Sequence, residues 1–229
     1  MPDTEKKLNL EQNSEQKADP NNKQKTPEKL LKAKKAYRKA TAARLAAGCG
    51  ILTAIAVALQ LLEFPLPVIP SFIKLDFSDL PELIGAFAYG PLAGIGIALL
   101  KNLIHMTVSQ SAFIGELSNF LLAAVFCGVA GGLYRRNHSE VGALVAGLIA
   151  CFCMAAICFP LNRFVIYPMY YNILGFSEEA VLHLYQKIIP STPDISVAIL
   201  IFNVPFTFLK GSICVLASAI LYPRISVGL

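Results

Sequence analysis

The stretch of sequence that decides the fold is VGALVAGLIACFCMAAICF, residues 141–159. It contains no charged side chain and approaches the roughly 20 residues that an α-helix needs to cross a hydrocarbon layer about 30 Å thick. The whole chain has the same character, because 55% of its 229 residues are hydrophobic and its mean hydropathy is +0.56. A soluble domain of this length needs less apolar surface. The sequence therefore predicts an integral membrane protein.

Further apolar segments on both sides of this stretch predict an all-α bundle of six transmembrane helices. Their predicted bounds are Arg44–Glu63, Asp79–Tyr89, Leu92–Val108, Gly115–Tyr134, Val141–Phe159 and Ile195–Leu221. The second helix is short because Gly90 and Pro91 interrupt the helical pattern. Three prolines between Phe64 and Phe77 predict a loop. The fifth and sixth helices are joined by a long connection with an amphipathic turn around residues 178–187.

The N-terminal residues have a different composition from the rest. Residues 1–40 are rich in Lys, Glu, Gln and Asn, which predicts a disordered basic tail ahead of a membrane domain at residues 41–229. Twelve of the twenty Lys and Arg residues precede Leu45, a pattern typical of attraction to anionic lipid headgroups rather than of nucleic-acid binding. The positive-inside rule puts this tail in the cytoplasm, together with Arg135, Arg136 and Arg224 after even numbers of crossings.

Sequence motifs of enzymes and of ATP hydrolysis are absent. The chain has no G-x-S-x-G, H-E-x-x-H or G-x-x-x-x-G-K-[ST] motif. Its six cysteines lie in apolar runs without a C-x-x-C pair, which favours buried core residues over a metal site. We therefore expect no enzyme activity and no cofactor, and any ATP-driven work requires another subunit.

Polar side chains inside the predicted spans indicate a candidate ligand site, because such residues are costly in lipid and usually face the bundle interior. On the sixth helix Asn203, Thr207 and Lys210 form one stripe at spacings of four and three residues. The other helices contribute Lys101, Asn102, His105, Glu116 and Asn119. A lysine near the bilayer centre costs roughly 2.5 to 3.5 kcal/mol on insertion scales, so it needs a ligand or a partner. A structural ion pair, or a lysine that reaches the membrane interface, is the alternative for both lysines.

Small residues recur every four positions on the first helix, at Ala42, Ala46, Gly50, Ala54 and Ala58. This small-xxx-small pattern lets another helix approach closely in lipid. It predicts a docking face for a partner subunit, and packing within the same bundle is the alternative.

Short motifs follow one another along the chain from residue 63 to residue 211. They are EFPLP (63–67), KLDFSDLP (74–81), GPLAG (90–94), KN (101–102), GELSNF (115–120), LN (161–162), YP (167–168) and VPFTFLKG (204–211). In this order they resemble the riboflavin-specific substrate-binding (S) component of energy-coupling factor (ECF) transporters, over roughly residues 40–222. The resemblance implies a six-helix vitamin-binding subunit that assembles with a membrane scaffold subunit and two ATP-binding subunits.

The resemblance also implies which residues bind the substrate. In that family an Asn near the end of the fifth helix and an Asn-x-x-Lys pair on the sixth contact the flavin; here these positions are Asn162, Thr207 and Lys210. Thr207 departs from the usual Asn and replaces an amide with a hydroxyl. The candidate substrate-binding residues are Leu75, Asp76, Asn162, Tyr167, Thr207 and Lys210. The candidate partner-interface residues are Ala46, Gly50, Ala54 and Ala58.

The predicted function is uptake of riboflavin across the bacterial cell membrane, with riboflavin as transported substrate and not as cofactor. A flat flavin ring with a polar edge suits an aromatic pocket with a few polar groups, and aromatic residues occur in the outer segments at Phe72, Phe77, Tyr167, Tyr170 and Tyr171. Two alternatives remain from the sequence: an S component for FMN or another small nutrient, and a membrane enzyme or stand-alone carrier.

Overall fold

The computed structural model describes residues 26–109 and 111–225. The chain divides into two units, one up to Ala46 and one from Ala47. The predicted disordered tail at residues 1–25 lies outside the described residues. Residues 26–40, which the sequence analysis also assigned to that tail, are helical instead. The reason is their content of Ala, Leu and Lys, which are strong helix formers.

The helices in chain order are α1 (Thr26–Leu61), α2 (Asp79–Ala88), α3 (Pro91–His105), α4 (Ile114–Tyr134), α5 (Glu140–Leu161), α6 (Tyr167–Leu174), α7 (Glu178–Gln186), α8 (Ile195–Ala198) and α9 (Val204–Ile225). A 3₁₀ turn, Met106–Val108, follows α3. Two π-helical segments, Asn162–Ile166 and Ile199–Asn203, join α5 to α6 and α8 to α9. The predicted loop contains two short antiparallel strands, β1 (Phe64–Pro65) and β2 (Lys74–Leu75).

Within the described part of the chain, five helical stretches are long and apolar enough to cross a membrane. They are Lys39–Leu61, Pro91–Val108, Ile114–Tyr134, Glu140–Leu174 and Ile195–Leu221. Together with the shorter α2 they form the predicted set of six membrane helices. The fifth continues to Leu174 and does not end near Phe159 as predicted. A π-helical turn widens the helix between Pro160 and Pro168, which accommodates both rings without ending it.

The outer surfaces of these helices carry large apolar side chains. Leu92 is 79% exposed, and Val141 and Phe152 are each 70% exposed. Such a surface favours association in water, whereas in a bilayer the same side chains contact lipid. The exposed residues therefore agree with the fold of a membrane protein.

The short helix α2 lies in the core. Leu83 packs in one apolar cluster with Phe126 of α4, Ala150 of α5 and Val215 of α9. Because α2 is surrounded by protein, its helix ends and its carboxylates find protein partners and do not meet lipid. This burial explains how a 10-residue helix with two acidic residues in its first turn is tolerated.

Helix α7 closes one end of the bundle. The sequence predicted an amphipathic turn in this region, and the structure has a helix whose N-cap, Ser177, accepts a hydrogen bond from the backbone N–H of Ala180 at 3.1 Å. Val181 and Tyr185 are buried on one face, where they pack with Ile166 and Ile195. The connection is therefore an ordered cover over α6 and α8.

Close packing of α4 against the turn between α2 and α3 gives a testable prediction. A Cβ atom at Gly131 would lie 2.9 Å from Pro91 Cα and 3.0 Å from the carbonyl oxygen of Ala86. Gly131→Ala is therefore expected to destabilise the protein by about 1–3 kcal/mol through overpacking. Gly132→Ala is the matched control, because nothing lies within 4 Å of a Cβ there. Thermal unfolding in detergent measures both, and equal midpoints would contradict the close approach.

Candidate functional site

A cavity of about 410 Å³ opens among the helices. Its walls come from the segment that carries β2, from the ends of α3 and α4 at residues 105–119, from α5, α6 and the π-helical segment between them, and from the first turns of α9. The volume lies within the roughly 300–1,000 Å³ of sites that bind small molecules. This cavity is the candidate substrate site.

Five of the six predicted substrate-binding residues line this cavity, namely Asp76, Asn162, Tyr167, Thr207 and Lys210. Leu75 is not among the lining residues. It lies in β2 between Lys74 and Asp76, which do line the cavity, and pairs with Phe64 in the ladder. Successive side chains of a strand point to opposite faces, so the neighbours of Leu75 face the cavity and its own side chain does not. Three separate segments of the chain thus meet at one site.

Asn162 and Thr207 meet at the thiol of Cys158. The Asn162 amide nitrogen donates to the Cys158 carbonyl oxygen at 2.8 Å and to its sulfur at 3.2 Å. The same sulfur lies 3.2 Å from the Thr207 hydroxyl. The amide nitrogen of Asn162 is thus held by Cys158, and its Oδ1 has no hydrogen bond to any residue that the structure describes. Asn162 therefore presents an acceptor to the cavity.

The polar residues Asn162 and Asn203 both lie in π-helical segments, each followed by a proline, Pro168 or Pro205. A proline cannot donate to the carbonyl group one turn earlier and its ring crowds that group, so the helix widens there. Wide turns of this kind are frequent at functional sites. Both asparagines line the cavity as a result.

Asn203 organises two buried tyrosines. Tyr185 donates to its Oδ1 at 2.8 Å, and its Nδ2 donates to the Tyr167 hydroxyl at 3.1 Å. The two tyrosine hydroxyls also contact each other. Asn203 belongs to the stripe predicted on the sixth helix, but its spacing does not reveal this network, which joins α6, α7 and the segment before α9. Tyr167 is held in place by it at the cavity wall.

Lys210 is buried and paired. Its ammonium lies 3.0 Å from Asp76 Oδ2 and 3.2 Å from Asp79 Oδ2. Burial alone would raise the pKa of Asp76, but Lys210, Lys101 and hydrogen bonds from Ser78 outweigh it and lower the pKa to about 2. Asp76 is therefore ionised near neutral pH. An ammonium has three N–H donors, so one donor of Lys210 remains for a ligand.

Lys101 has a different environment. It is fully buried, lies 2.6 Å from Glu82 Oε1 and 3.7 Å from Asp79 Oδ1, and donates to Ser78 Oγ at 2.8 Å. It does not line the cavity. The sequence left open whether each lysine contacts a ligand or forms a structural ion pair. Lys101 forms an ion pair away from the cavity, whereas Lys210 forms an ion pair and also lines the cavity.

A second polar group lies where α3 meets α4. His105 Nδ1 is 3.0 Å from Glu116 Oε1, and Glu116 Oε2 accepts hydrogen bonds from the hydroxyls of Ser109 at 2.8 Å and Ser111 at 3.2 Å. His105, Ser111 and Glu116 line the cavity. His105 and Glu116 were predicted as polar residues inside spans that face the bundle interior, but they are not among the six candidate substrate-binding residues. Their location inside a predicted membrane span is the sequence signal that points to this part of the cavity wall.

The cavity, its polar walls and the membrane helices define a membrane-embedded protein that binds a small molecule. Residues 47–222 match the family described as ECF transporter, substrate-specific component. The chain belongs to this family of S components.

Individual relatives agree with the family. The chain is 32% identical to the riboflavin transporter RibU of Staphylococcus aureus over 176 residues, which is 77% of this chain and 87% of that protein. It is 28% identical to the riboflavin transporter FmnP of Bacillus subtilis over 178 residues, 76% of this chain and 88% of that one. A solved structure of the S component of a bacterial ECF transporter aligns with a TM-score of 0.63 and 29% identity, over 81% of this chain and 96% of its own.

Membership confirms three predictions from the sequence. The protein is an all-helical, multi-pass membrane protein with the six-helix S-component fold. It is a subunit of a transporter and not an enzyme. As an S component it associates with an ECF energizing module.

The buried pair of Lys101 and Glu82 gives a prediction about stability. Lys101→Met leaves the Glu82 carboxylate unpaired in the core and should destabilise the protein by about 3–5 kcal/mol. Adding Glu82→Met removes that orphaned charge, so the double variant should recover most of the loss. Thermal unfolding of the two single variants and the double variant measures the coupling. Additive losses would show that the two side chains do not support each other.

Proposed function

We propose that this S component binds riboflavin in the cavity and serves its uptake. The observation that supports this most is the convergence of Asn162, Thr207 and Lys210, from two helices far apart in sequence, on one cavity wall. The relatives named riboflavin transporters, at 28–32% identity over most of the chain, favour the same ligand.

The chemistry of the wall suits the edge of a flavin ring. That edge presents a carbonyl oxygen, an N–H and a second carbonyl oxygen, so its complement is a donor, an acceptor and a donor. Lys210 has a free N–H donor, Asn162 Oδ1 is a free acceptor, and Thr207 carries a hydroxyl. Phe72, Tyr167, Tyr170 and Phe206 supply apolar and aromatic surface for the ring.

Transport requires further subunits, which we take to be a membrane scaffold subunit and two ATP-binding subunits. The chain carries no ATP-binding motif of its own. Gly50, Ala54 and Ala58 of α1 are exposed, and a side chain at Gly50 would meet open space. Their exposure supports this face of α1 as the contact for a partner helix. The basic N-terminal part of the chain and the exposed Arg135 and Arg136 favour a cytoplasmic N-terminus in the bacterial cell membrane.

A second candidate is an S component for another small nutrient. Thr207 supports it, because the family's usual amide at this position offers two donor hydrogens where Thr207 offers one. The absorption spectrum of any ligand that copurifies with the chain separates the two candidates, since a flavin is yellow.

Lys210 carries the central prediction for binding. Lys210→Ala should weaken riboflavin binding by about 1–3 kcal/mol, roughly 5- to 150-fold in Kd, because a charged hydrogen bond to the ring is lost. Lys187→Ala is the control, because Lys187 is exposed and does not line the cavity. Quenching of flavin fluorescence by the purified chain measures both.

The companion variant Thr207→Asn restores the usual family residue and should tighten riboflavin binding. Unchanged affinity in a folded Lys210→Ala variant would remove Lys210 from the site. Absence of flavin binding in the natural chain and in Thr207→Asn alike would favour the second candidate.

The small-residue face of α1 gives a prediction about coupling. Ala54→Leu should separate α1 from a partner helix, because close packing at such a face cannot be replaced by lipid contact. We expect ligand affinity of the purified chain to stay within about twofold, since Ala54 does not line the cavity. Copurification with the energizing module and cellular uptake should both be lost.

Ala156→Leu on α5 is the matched control, because Ala156 is also an exposed alanine on a membrane helix. It should leave binding, assembly and uptake unchanged. Normal assembly of Ala54→Leu would instead place the partner on another face.

A further inference from the structure

The thiol of Cys158 joins two polar residues of the cavity wall that belong to different helical segments. Cys158 is 1% exposed and lines the cavity together with Asn162 and Thr207. Its sulfur lies 3.2 Å from the Asn162 amide nitrogen and 3.2 Å from the Thr207 hydroxyl oxygen. Within residues 26–109 and 111–225, neither the sulfur nor the Thr207 hydroxyl has another hydrogen-bond partner. The position of the thiol hydrogen therefore decides how the Thr207 hydroxyl is used.

The amide of Asn162 sets the direction of these hydrogen bonds. Its nitrogen lies 2.8 Å from the backbone carbonyl oxygen of Cys158, which only accepts, so the N–H groups and not Oδ1 face Cys158. The same nitrogen donates to the sulfur, because an amide nitrogen does not accept. The sulfur thus acts as the acceptor towards Asn162. Its own S–H is directed to the Thr207 oxygen, the other polar atom within hydrogen-bond distance.

A thiol that donates to Thr207 changes what this hydroxyl presents to the cavity. A hydroxyl group has one O–H donor and two acceptor lone pairs. If Thr207 gave its hydrogen to the sulfur, only lone pairs would remain for a ligand. When a lone pair accepts the S–H instead, the O–H is free to point into the cavity, and each hydrogen bond in such a chain strengthens the next. Thr207 then supplies a donor, as an amide at this position would.

We infer that Cys158 is a positioning residue that makes Thr207 a hydrogen-bond donor to the substrate. The inference rests on the proposed function, in which the edge of the flavin ring meets donors from Lys210 and Thr207 and an acceptor from Asn162. Cys158 acts through Thr207 and makes no hydrogen bond with the ring itself, because its S–H and its acceptor side are both used within the wall.

The alternative for Cys158 is a buried thiol that only fills space in the core. Cys151 fits that description on the same helix, since it is fully buried in an apolar cluster and does not line the cavity. Replacement of Cys151 therefore reports the effect of losing a buried thiol of α5 without a change at the cavity wall. Cys151→Ala is the matched control.

Infrared spectroscopy of the purified full chain tests the direction of the bond without any ligand. The S–H stretching band of Cys158 is isolated as the difference between the spectra with and without Cys158→Ala. We expect the lower frequency of a thiol that donates. Thr207→Val keeps the branched shape but removes the acceptor, so it should raise this band to the frequency of a free thiol. A band that Thr207→Val leaves unchanged would overturn the inference.

Riboflavin binding tests the consequence for the substrate. Cys158→Ala should weaken binding about fivefold, because the released Thr207 hydroxyl can donate to the backbone carbonyl group one turn earlier on its own helix. Cys158→Ser keeps a donor and should stay within about twofold of the natural chain. Cys151→Ala should leave the affinity unchanged. In a Thr207→Val background, Cys158→Ala should have no further effect, since the hydroxyl through which it acts is absent.

The outcomes separate positioning from packing and from the proposed function. Equal losses from Cys158→Ala with and without Thr207→Val, or natural affinity in Cys158→Ala, would show that the thiol does not act through Thr207. Thermal unfolding shows whether each variant is folded, and Cys158→Ser replaces Cys158→Ala as the infrared reference if the alanine variant does not fold. If no flavin binds the natural chain, the proposed function fails and the role of Cys158 towards the substrate fails with it, whatever the direction of the S–H bond.

Discussion

The buried ion pair between Lys210 and the carboxylates of Asp76 and Asp79 is the interaction on which the rest of the structure depends. It joins α9 to the β2 segment and to the first turn of α2, across 134 residues of sequence. Breaking such a pair would leave an unpaired charge in a low-dielectric interior, which costs more than most packing defects. The first turn of α2 is therefore held beside α9. Lys101 on α3 holds the other side of the same carboxylate group through Glu82 and Asp79.

This arrangement makes the ligand site part of the structural core. Lys210 lines the cavity while its ammonium is held by Asp76 and Asp79. The ammonium is therefore already ordered before a ligand binds. Tyr167 is fixed in a comparable way by Asn203 and Tyr185 on another wall. A site whose polar groups are already held by other bonds loses little conformational entropy on binding, which favours affinity.

The sequence predicted most of the fold because hydropathy reports directly on helices that face lipid. The uncharged run at residues 141–159, for example, is long enough to predict a membrane helix. Its continuation to Leu174 was missed, because prolines end most helices and the compensating π-helical turn has no periodic signature. The helical start at Thr26 was also missed, because the charged composition of residues 26–40 was taken to indicate disorder although these residues include strong helix formers. The family resemblance gave six candidate substrate-binding residues, and five of them line the cavity. The pairing of Lys210 with Asp76, by contrast, is a long-range contact that no spacing rule reveals.

Thr207, Cys158 and Asn162 form one connected part of the cavity wall. Its hydroxyl lies against the Cys158 sulfur, which also receives an N–H of the Asn162 amide. Because the nitrogen of that amide contacts both the carbonyl oxygen and the sulfur of Cys158, the amide oxygen is the atom turned away from these partners and left for a ligand. A second amide at position 207 would add a donor hydrogen. With a hydroxyl there, the donors for the polar edge of a ligand come from Thr207 and Lys210 alone in this wall. In the proposed binding mode the ring edge depends mainly on Lys210, and the same lysine holds the first turn of α2 beside α9.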